Sequence, residues 1–249
     1  MTITVHNFVM LGKTVPEERR SDGRKFVCSA GYVDDLGLIR IYPLARAGAP
    51  HRWSRNTVSL QRNPRDSRSE SWQLAGDRTP EQHPVINLRE FVQTGEVKQS
   101  ARGQLVPDKY FVDSIAQANR ERRSLALIRP QDLDLTWTAV DSQAPVDMQQ
   151  LELLELPPRT DGKPTRIPRL RFRDQEGQHC LQLREWGVYE LIRKNGLTYA
   201  SSHAASALRL GDSSSLLIGN LNAHRTTWLV IGVLNLGASQ PALFGLESA

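Results

Sequence analysis

Lysine, cysteine and long apolar segments are scarce in this sequence of 249 residues. Of its 32 basic residues only six are lysines and 26 are arginines, and Cys28 and Cys180 are its two cysteines. Two distant cysteines are too few for the disulfide framework of a small secreted protein. No segment approaches the ~20 apolar residues of a membrane-spanning helix, and the first residues lack the pattern of a signal peptide. We therefore expect a cytoplasmic protein with reduced cysteines and no contact with a membrane.

The sequence also lacks the motifs of several enzyme classes. Its six histidines show no metal-ligand spacing, and the neighbours His179 and Cys180 would point to opposite faces of a strand. It contains no Gly-x-Ser-x-Gly turn and no glycine-rich phosphate loop followed by Lys-Ser or Lys-Thr. Glu96 and Lys98 match half of a metal-dependent nuclease signature, but no acid is suitably placed upstream. We expect neither a bound metal nor a cofactor.

Arginine, by contrast, is concentrated in one part of the chain. The segment from Arg40 to Arg78 contains eight arginines, no lysine and three acids, within a chain of net charge +5 and pI about 9.5. A guanidinium group binds phosphates and base edges in a two-pronged geometry. A GC-rich genome would also raise arginine over lysine, but it explains the local clustering less well. The cluster predicts a surface that binds nucleic acid.

Short strands dominate the N-terminal third. Residues 25–33 and 38–43 flank a turn and read as the two strands of a hairpin. Residues 57–61 alternate between apolar and polar side chains, as in a half-buried strand. Strands at this spacing are typical of a small barrel rather than of a βαβ sheet. Residues 184–194 read as a helix that stops at Asn195-Gly196.

The predicted fold class is therefore α+β, mainly β, with small barrels and a few packed helices. We expect an N-terminal β-rich, barrel-like domain over residues 1–145, which carries the arginine-rich groove. A C-terminal α+β domain over residues 146–249 would pack against it as one unit.

Several motifs along the chain resemble those of a bacterial protein group. They are Val27-Cys28-Ser29-Ala30-Gly31, Ile39-Arg40-Ile41-Tyr42-Pro43, the loop at residues 65–71, the run at 125–130, Arg171-Phe172-Arg173, His179 with Glu185-Trp186, and the run at 228–232. The group is found in bacterial conflict systems and has oligonucleotide-binding-like barrels. The resemblance extends to a phage-defence DNA glycosylase that removes glucosylated hydroxymethylcytosine, so it implies base excision in antiviral defence. The group carries aspartate where this chain has Glu185, and proline where it has Ser69.

Base excision would require an acid within a basic groove. The N-glycosidic bond breaks through an oxocarbenium-like state that a carboxylate stabilises, after the target nucleotide has left the helix stack. Asp66 and Glu70 lie among arginines, and Glu185 begins a helix, so these three are the catalytic candidates. In a simpler interpretation, Asp66 and Glu70 neutralise nearby arginines and Glu185 favours the helix start.

Arginines, aromatic residues and one polar turn are the candidates for DNA contact. These candidates are Arg40, Tyr42, Arg52, Trp53, Arg55, Arg62, Arg65, Arg68, Arg171, Arg173, Asn220 and His224. The aromatic rings would stack on bases, although burial in the core is an equally ordinary role for Tyr42. Asn220 and His224 would read a base edge or simply form a turn.

The function predicted from the sequence is that of a metal-independent DNA glycosylase, a hydrolase acting on a modified base. The alternative is a non-catalytic module of the oligonucleotide-binding type, which binds single strands. That module needs the same arginines and aromatic residues but no poised acid.

Overall fold

Five strands close a barrel in the computed structural model, which describes residues 2–18, 25–45, 49–76, 90–139 and 166–236. These strands are β1 (Thr2–Lys13), β3 (Lys25–Val33), β4 (Gly37–Ala45), β5 (Ser54–Arg62) and β6 (Ser71–Leu74). Their order is β1-β3-β4-β6-β5, and β5 pairs back with β1 to close the ring. The contact between β4 and β6 is parallel and the others are antiparallel. The predicted mainly β class with an oligonucleotide-binding-like barrel is confirmed.

The barrel interior is built by alternation along its strands. In β5, every second residue from Ser54 to Leu60 is buried, so Val58 and Leu60 point inward and the polar residues between them point outward. Trp72 of β6 fills the same interior together with Phe8. Two short strands extend this sheet: β2 (Glu17–Glu18) pairs with β3, and β7 (Val92–Glu96) pairs with β5.

Two open sheets accompany the barrel. Their strands are β8 (Phe111–Val112), β9 (Leu125–Ile128), β10 (Gln131–Ala139), β11 (Arg166–Arg173), β12 (Gln178–Gln182), β13 (Ser214–Asn220) and β14 (Trp228–Asn235). The four-stranded sheet has the order β14-β13-β9-β8, and the three-stranded sheet has the order β10-β11-β12. Both sheets contain strands from either side of residue 145, where a domain boundary is predicted. That boundary itself lies outside the described residues.

The helices pack on the side of the four-stranded sheet that faces away from the barrel. Helix α1 spans Ile115–Arg120, and helix α2 spans Trp186–Leu208 with a kink at Gly196, whose φ is +82°. The predicted end of α2 at Asn195-Gly196 is this kink, beyond which the helix continues because Ala200, Ala204 and Leu208 bury one face. Short 3-10 turns occupy Gln99–Gln104 and Asp108–Tyr110. No helix among the described residues is long and apolar enough to span a membrane.

The four-stranded sheet is buried on both faces. One face packs on the outside of the barrel, where Leu127 and Leu217 meet Leu11, Tyr32 and Leu38 in one cluster. The other face packs against the helices and the three-stranded sheet. Burial on both faces explains why β13 and β14 read as nearly continuous apolar runs.

This packing covers the outer face of β3 and β4. Ligands of oligonucleotide-binding barrels use the face of the second and third barrel strands and the loops at the barrel ends. Here that face contributes Ala30, Tyr32 and Leu38 to the interior of the protein. The loop between β5 and β6 lies at the end of the barrel, outside this covered face.

Gly31 in β3 offers a test of this packing. A Cβ atom at Gly31 would clash with the Phe8 ring and the Val9 carbonyl oxygen, whereas one at Gly95 in β7 would meet nothing within 4 Å. We expect Gly31→Ala to lower the free energy of unfolding by about 1–3 kcal/mol and Gly95→Ala to leave it within about 0.5 kcal/mol. Urea unfolding followed by tryptophan fluorescence measures both, and equal stabilities of the two variants would contradict the packing described.

Candidate nucleic-acid interface

A polar cleft of about 400 Å³ opens where the β5–β6 loop of the barrel meets the start of β9 and the end of β13. It is lined by residues 67–70, 119, 122–124, 220 and 225–226, and we call it the arginine cleft. Four of these residues are arginines: Arg68, Arg122, Arg123 and Arg225. Glu70 is the one carboxylate among the described residues that line it.

The β5–β6 loop is held in shape by its own polar side chains. The Asn63 side chain accepts a hydrogen bond from the backbone N of Arg65 at 3.0 Å and donates one to the carbonyl of Tyr42 at 3.2 Å. Asp66 accepts from the backbone N of Arg68 at 3.1 Å and from the Ser71 hydroxyl at 2.7 Å. Asparagine and aspartate fold short turns in this way because their side chains bond the backbone two residues on. The sequence Asn-Pro-Arg-Asp-Ser-Arg thus forms a fixed rim for the cleft.

Asp66 and Arg68 form a nearly dry ion pair behind this rim. Their side chains are 5% and 8% exposed, and Arg68 also donates to the carbonyl oxygen of Asn220 at 2.6 Å. Burial raises the pKa of Asp66, but the hydrogen bonds from Arg68 and Ser71 outweigh it and lower the pKa to about 2. Asp66 is not among the residues that line the cleft; its carboxylate holds Arg68 and the loop in place.

Glu70 lies inside the arginine cleft and is held by uncharged donors. Its carboxylate accepts hydrogen bonds from the backbone N and the hydroxyl of Ser124, both at 3.1 Å, and from the Ser69 hydroxyl at 2.9 Å. Burial raises its pKa, but these hydrogen bonds outweigh it and the pKa lies below the ordinary value. It forms no ion pair with any arginine of the described residues. An ionised carboxylate therefore faces a cleft rich in guanidinium groups without being neutralised by one of them.

Glu185 is engaged in a different part of the molecule. It precedes α2, is 4% exposed, and receives hydrogen bonds from Arg52 at 2.7 Å and from the backbone N of Val233 at 3.0 Å. Arg52 also donates to the carbonyl of Val233 at 2.9 Å. This ion pair joins the β4–β5 connection, the start of α2 and β14. Arg52 and Glu185 therefore act at an internal junction, away from the residues that line the cleft.

Three other residues predicted to contact DNA are partly or fully buried, namely Arg40, Trp53 and Tyr42. Arg40 is 3% exposed, donates to the carbonyl of Ser124 at 3.0 Å, and keeps its Nη1 without a partner among the described residues. Trp53 is buried in the cluster between the barrel and the sheet, and Tyr42 is half-buried. The ring of Trp53 is therefore not presented for stacking, whereas that of Tyr42 is partly accessible.

The other predicted contacts fall on two separate surfaces. Arg62 and Arg65 are exposed near the cleft, with the Arg62 guanidinium 3.9 Å from the centre of the Trp72 ring, and Arg55 is half-buried on β5. Asn220 lines the cleft, and the exposed His224 follows it in the β13–β14 turn. Arg171 and Arg173 lie on the three-stranded sheet, beside a second pocket of about 280 Å³. Arg173 forms an ion pair there with Asp132.

Sequence reasoning missed Arg122, Arg123 and Arg225. Arg122 and Arg123 follow α1, and Arg122 adopts a left-handed backbone with φ of +55° that places it in a tight turn. Arg225 donates to the Ser67 hydroxyl at 2.8 Å and so bridges the β13–β14 turn to the β5–β6 loop. The run Arg120-Glu121-Arg122-Arg123 is a visible signal of charge, but its position beside Glu70 depends on the packing of the barrel against the four-stranded sheet.

The cleft is suited to an anionic ligand. Arg122 and Arg225 have no carboxylate partner among the described residues, so their guanidinium groups remain available for phosphate oxygens. Asn220, which is nine-tenths buried, donates to the carbonyls of Arg123 and Arg225 and keeps its Oδ1 without a partner in the described part of the chain. No group of three or more His, Cys, Asp or Glu side chains within those described ranges is arranged to hold a metal ion.

Comparison with known proteins gives one similarity, which covers the barrel. Residues 5–106 match a family model described as Domain of unknown function (DUF8758). Neither the curated proteins nor the solved structures yielded a match. The matched segment contains the barrel strands and Glu70, whereas Arg122, Arg123 and Arg225 of the cleft lie beyond it.

The buried pair of Asp66 and Arg68 leads to a pH-dependent prediction. Because the pKa of Asp66 is lowered from 3.8 to about 2, its carboxylate stabilises the fold fully above about pH 4 and loses this effect as the pH falls through about 2. The shift corresponds to about 2 kcal/mol. We expect the stability gap between the wild type and Asp66→Asn to shrink by about that amount from pH 6 to pH 2. Urea unfolding at several pH values measures it, and a gap independent of pH would contradict the assignment.

Proposed function

We propose that this protein binds DNA at the arginine cleft and is a metal-independent glycosylase, which excises a modified base from phage DNA in cytoplasmic antiviral defence. One observation carries the proposal: Glu70 is an ionised carboxylate that faces a cleft lined by four arginines. It forms an ion pair with no arginine in the described part of the chain. The phage-defence role and the choice of glucosylated hydroxymethylcytosine rest on the resemblance of the sequence motifs.

Phosphate binding would fall to the arginines that have no carboxylate partner among the described residues. Arg122 and Arg225 lie in the cleft. The exposed Arg62 ends β5, and the exposed Arg65 lies on the loop that forms the rim of the cleft. Guanidinium groups bind phosphate oxygens in pairs of parallel hydrogen bonds. Arg40 and Arg68 contribute indirectly, because they fix the segments that carry the cleft. Arg52 lies at the internal junction with Glu185 and is not among the residues that line the cleft.

The size of the cleft favours a single nucleotide over a long strand. A volume of about 400 Å³ lies in the range of small-molecule pockets, and the barrel face on which a strand would lie is covered by the four-stranded sheet. Enzymes that act on a base rotate its nucleotide out of the stack into such a pocket. We therefore propose that the target nucleotide enters the cleft while the neighbouring phosphates contact its rim.

Glu70 would act on the sugar of this nucleotide. When the bond between C1′ and the base breaks, the bonding electrons leave with the base and positive charge develops on the sugar. The Glu70 carboxylate would stabilise that charge and accept a proton from the water that attacks C1′, while the departing base gains a proton. The result is hydrolysis to a free base and an abasic site.

A non-catalytic binding module is the second candidate, and one observation favours it. A carboxylate has about four acceptor positions, and hydrogen bonds from Ser69 and Ser124 occupy three of them at Glu70. A purely structural glutamate would be held in the same way. In that case the cleft would bind single-stranded DNA and leave it intact.

Replacement of Glu70 separates these candidates. We expect the wild type to convert modified phage DNA into abasic sites, detected as strand breaks that appear only after alkali treatment. Glu70→Gln should lower this activity by at least about 100-fold while it retains DNA binding in a gel-shift assay, which also verifies its fold. Glu96→Gln is the matched control, because Glu96 lies on β7, is exposed and is paired with His51.

The possible results point in different directions. Intact DNA with a gel shift for the wild type would support the binding module. Breaks without alkali, abolished in Glu96→Gln, would indicate a nuclease instead. Full excision activity in Glu70→Gln would remove Glu70 from the mechanism.

A salt titration tests the assignment of phosphate contacts. Each phosphate contact contributes roughly 0.7–0.9 to the slope of log affinity against log salt. The double variant Arg122→Ala/Arg225→Ala should therefore reduce that slope by about 1.5 and weaken binding for all sequences alike. Arg129→Ala, at an exposed arginine paired with Asp108, is the control and should keep the wild-type slope. If Arg171→Ala reduces the slope instead, the contacts lie on the three-stranded sheet.

A further inference from the structure

We propose that Ser124 is the positioning residue for Glu70, and that the buried Arg40 holds Ser124 in place. The inference rests on the proposed function and deepens it, because it assigns the residues that orient the reacting carboxylate. Ser124 is buried at the start of β9, outside the arginine-rich segment in which Glu70 lies. The two residues are brought together by the packing of the barrel against the four-stranded sheet.

Ser124 contacts Glu70 through two donors. Its backbone N donates to Oε1 at 3.1 Å and its hydroxyl donates to Oε2 at 3.1 Å, so each carboxylate oxygen is held by the same residue. Two bonds from one residue fix both the position and the plane of the carboxylate, as a single bond does not. The Ser69 hydroxyl adds a third hydrogen bond, at Oε2.

Arg40 supports Ser124 from the interior. Its Nη2 donates to the carbonyl of Ser124 at 3.0 Å, and the backbone N of Asn220 donates to the same oxygen at 3.1 Å. The backbone N of Arg40 also donates to the carbonyl of Glu70 at 2.8 Å. Arg40 therefore connects the main chain of Glu70 with that of its side-chain partner. A cation buried to this degree is costly to desolvate, which is consistent with a requirement for this arrangement.

Charged groups surround Glu70 without forming ion pairs with it. Arg122, Arg123 and Arg225 line the cleft with it, while Arg68 is neutralised by Asp66. Arg123 is likewise paired with Glu121, and Arg40 lies beneath. The electric field of these cations favours the ionised carboxylate, but its orientation depends on hydrogen bonds from uncharged donors. Removal of the Ser124 hydroxyl should therefore affect the chemical step more than the binding of DNA.

The experiment compares Ser124→Ala with wild type and with Ser29→Ala, a control that removes a buried hydroxyl from β3 with no bond to Glu70. In Ser124→Ala we expect kcat to fall about tenfold, the value of one hydrogen bond to a charged group, with KM unchanged. The acid limb of the pH–rate profile should shift to higher pH. The pKa of Glu70, followed by NMR of carboxyl-labelled protein, should rise. Ser124→Thr, which keeps the hydroxyl, should restore both.

Two outcomes would overturn the inference. One is a Glu70 titration that is the same in Ser124→Ala and wild type, and the other is an equal change in Ser29→Ala. If wild type excises no base, the proposed glycosylase function fails, yet the NMR titration still decides whether Ser124 governs Glu70. The two failures are therefore distinguishable.

Discussion

The packing of the barrel against the four-stranded sheet determines most of what this molecule can do. Leu11, Tyr32 and Leu38 on the barrel meet Leu127 and Leu217 on the sheet in a continuous apolar contact. Burial of this kind is the main favourable term in folding. It also directs the β5–β6 loop toward the start of β9 and the end of β13. The arginine cleft exists because these three segments, distant in sequence, end at the same place.

The arginines fall into two groups with different physical situations. Arg40, Arg52 and Arg68 are wholly or largely removed from water and are bound by carbonyl oxygens and carboxylates of the protein itself. Removing such a charge from water is costly, and these hydrogen bonds offset part of the cost, although Nη1 of Arg40 has no partner among the described residues. Arg122 and Arg225 have no acidic partner within the described ranges and face the cleft. A high arginine count in one segment therefore does not measure how much positive charge that segment presents to a ligand.

Sequence patterns predicted much of the secondary structure and little of the cleft. The hairpin of β3 and β4, the strand β5 and the first half of α2 follow from alternation, apolar runs and turn residues. β6 was missed because it has four residues and joins β4 in parallel, a long-range contact without a local signal. The sequence indicates Glu70, Arg68 and Asn220 as candidate site residues. It gives no such signal for Arg122, Arg123, Arg225 or Ser124, because their proximity to Glu70 arises from tertiary packing.

The covered barrel face also shows that the barrel and the four-stranded sheet depend on each other. The stretch matched by the family model ends at residue 106, before the four-stranded sheet begins. A polypeptide limited to that stretch would expose Leu11, Tyr32 and Leu38 to water, and exposed apolar patches of this kind promote aggregation or association. In this chain the barrel therefore relies on the four-stranded sheet for the apolar cover of its β3 and β4 face.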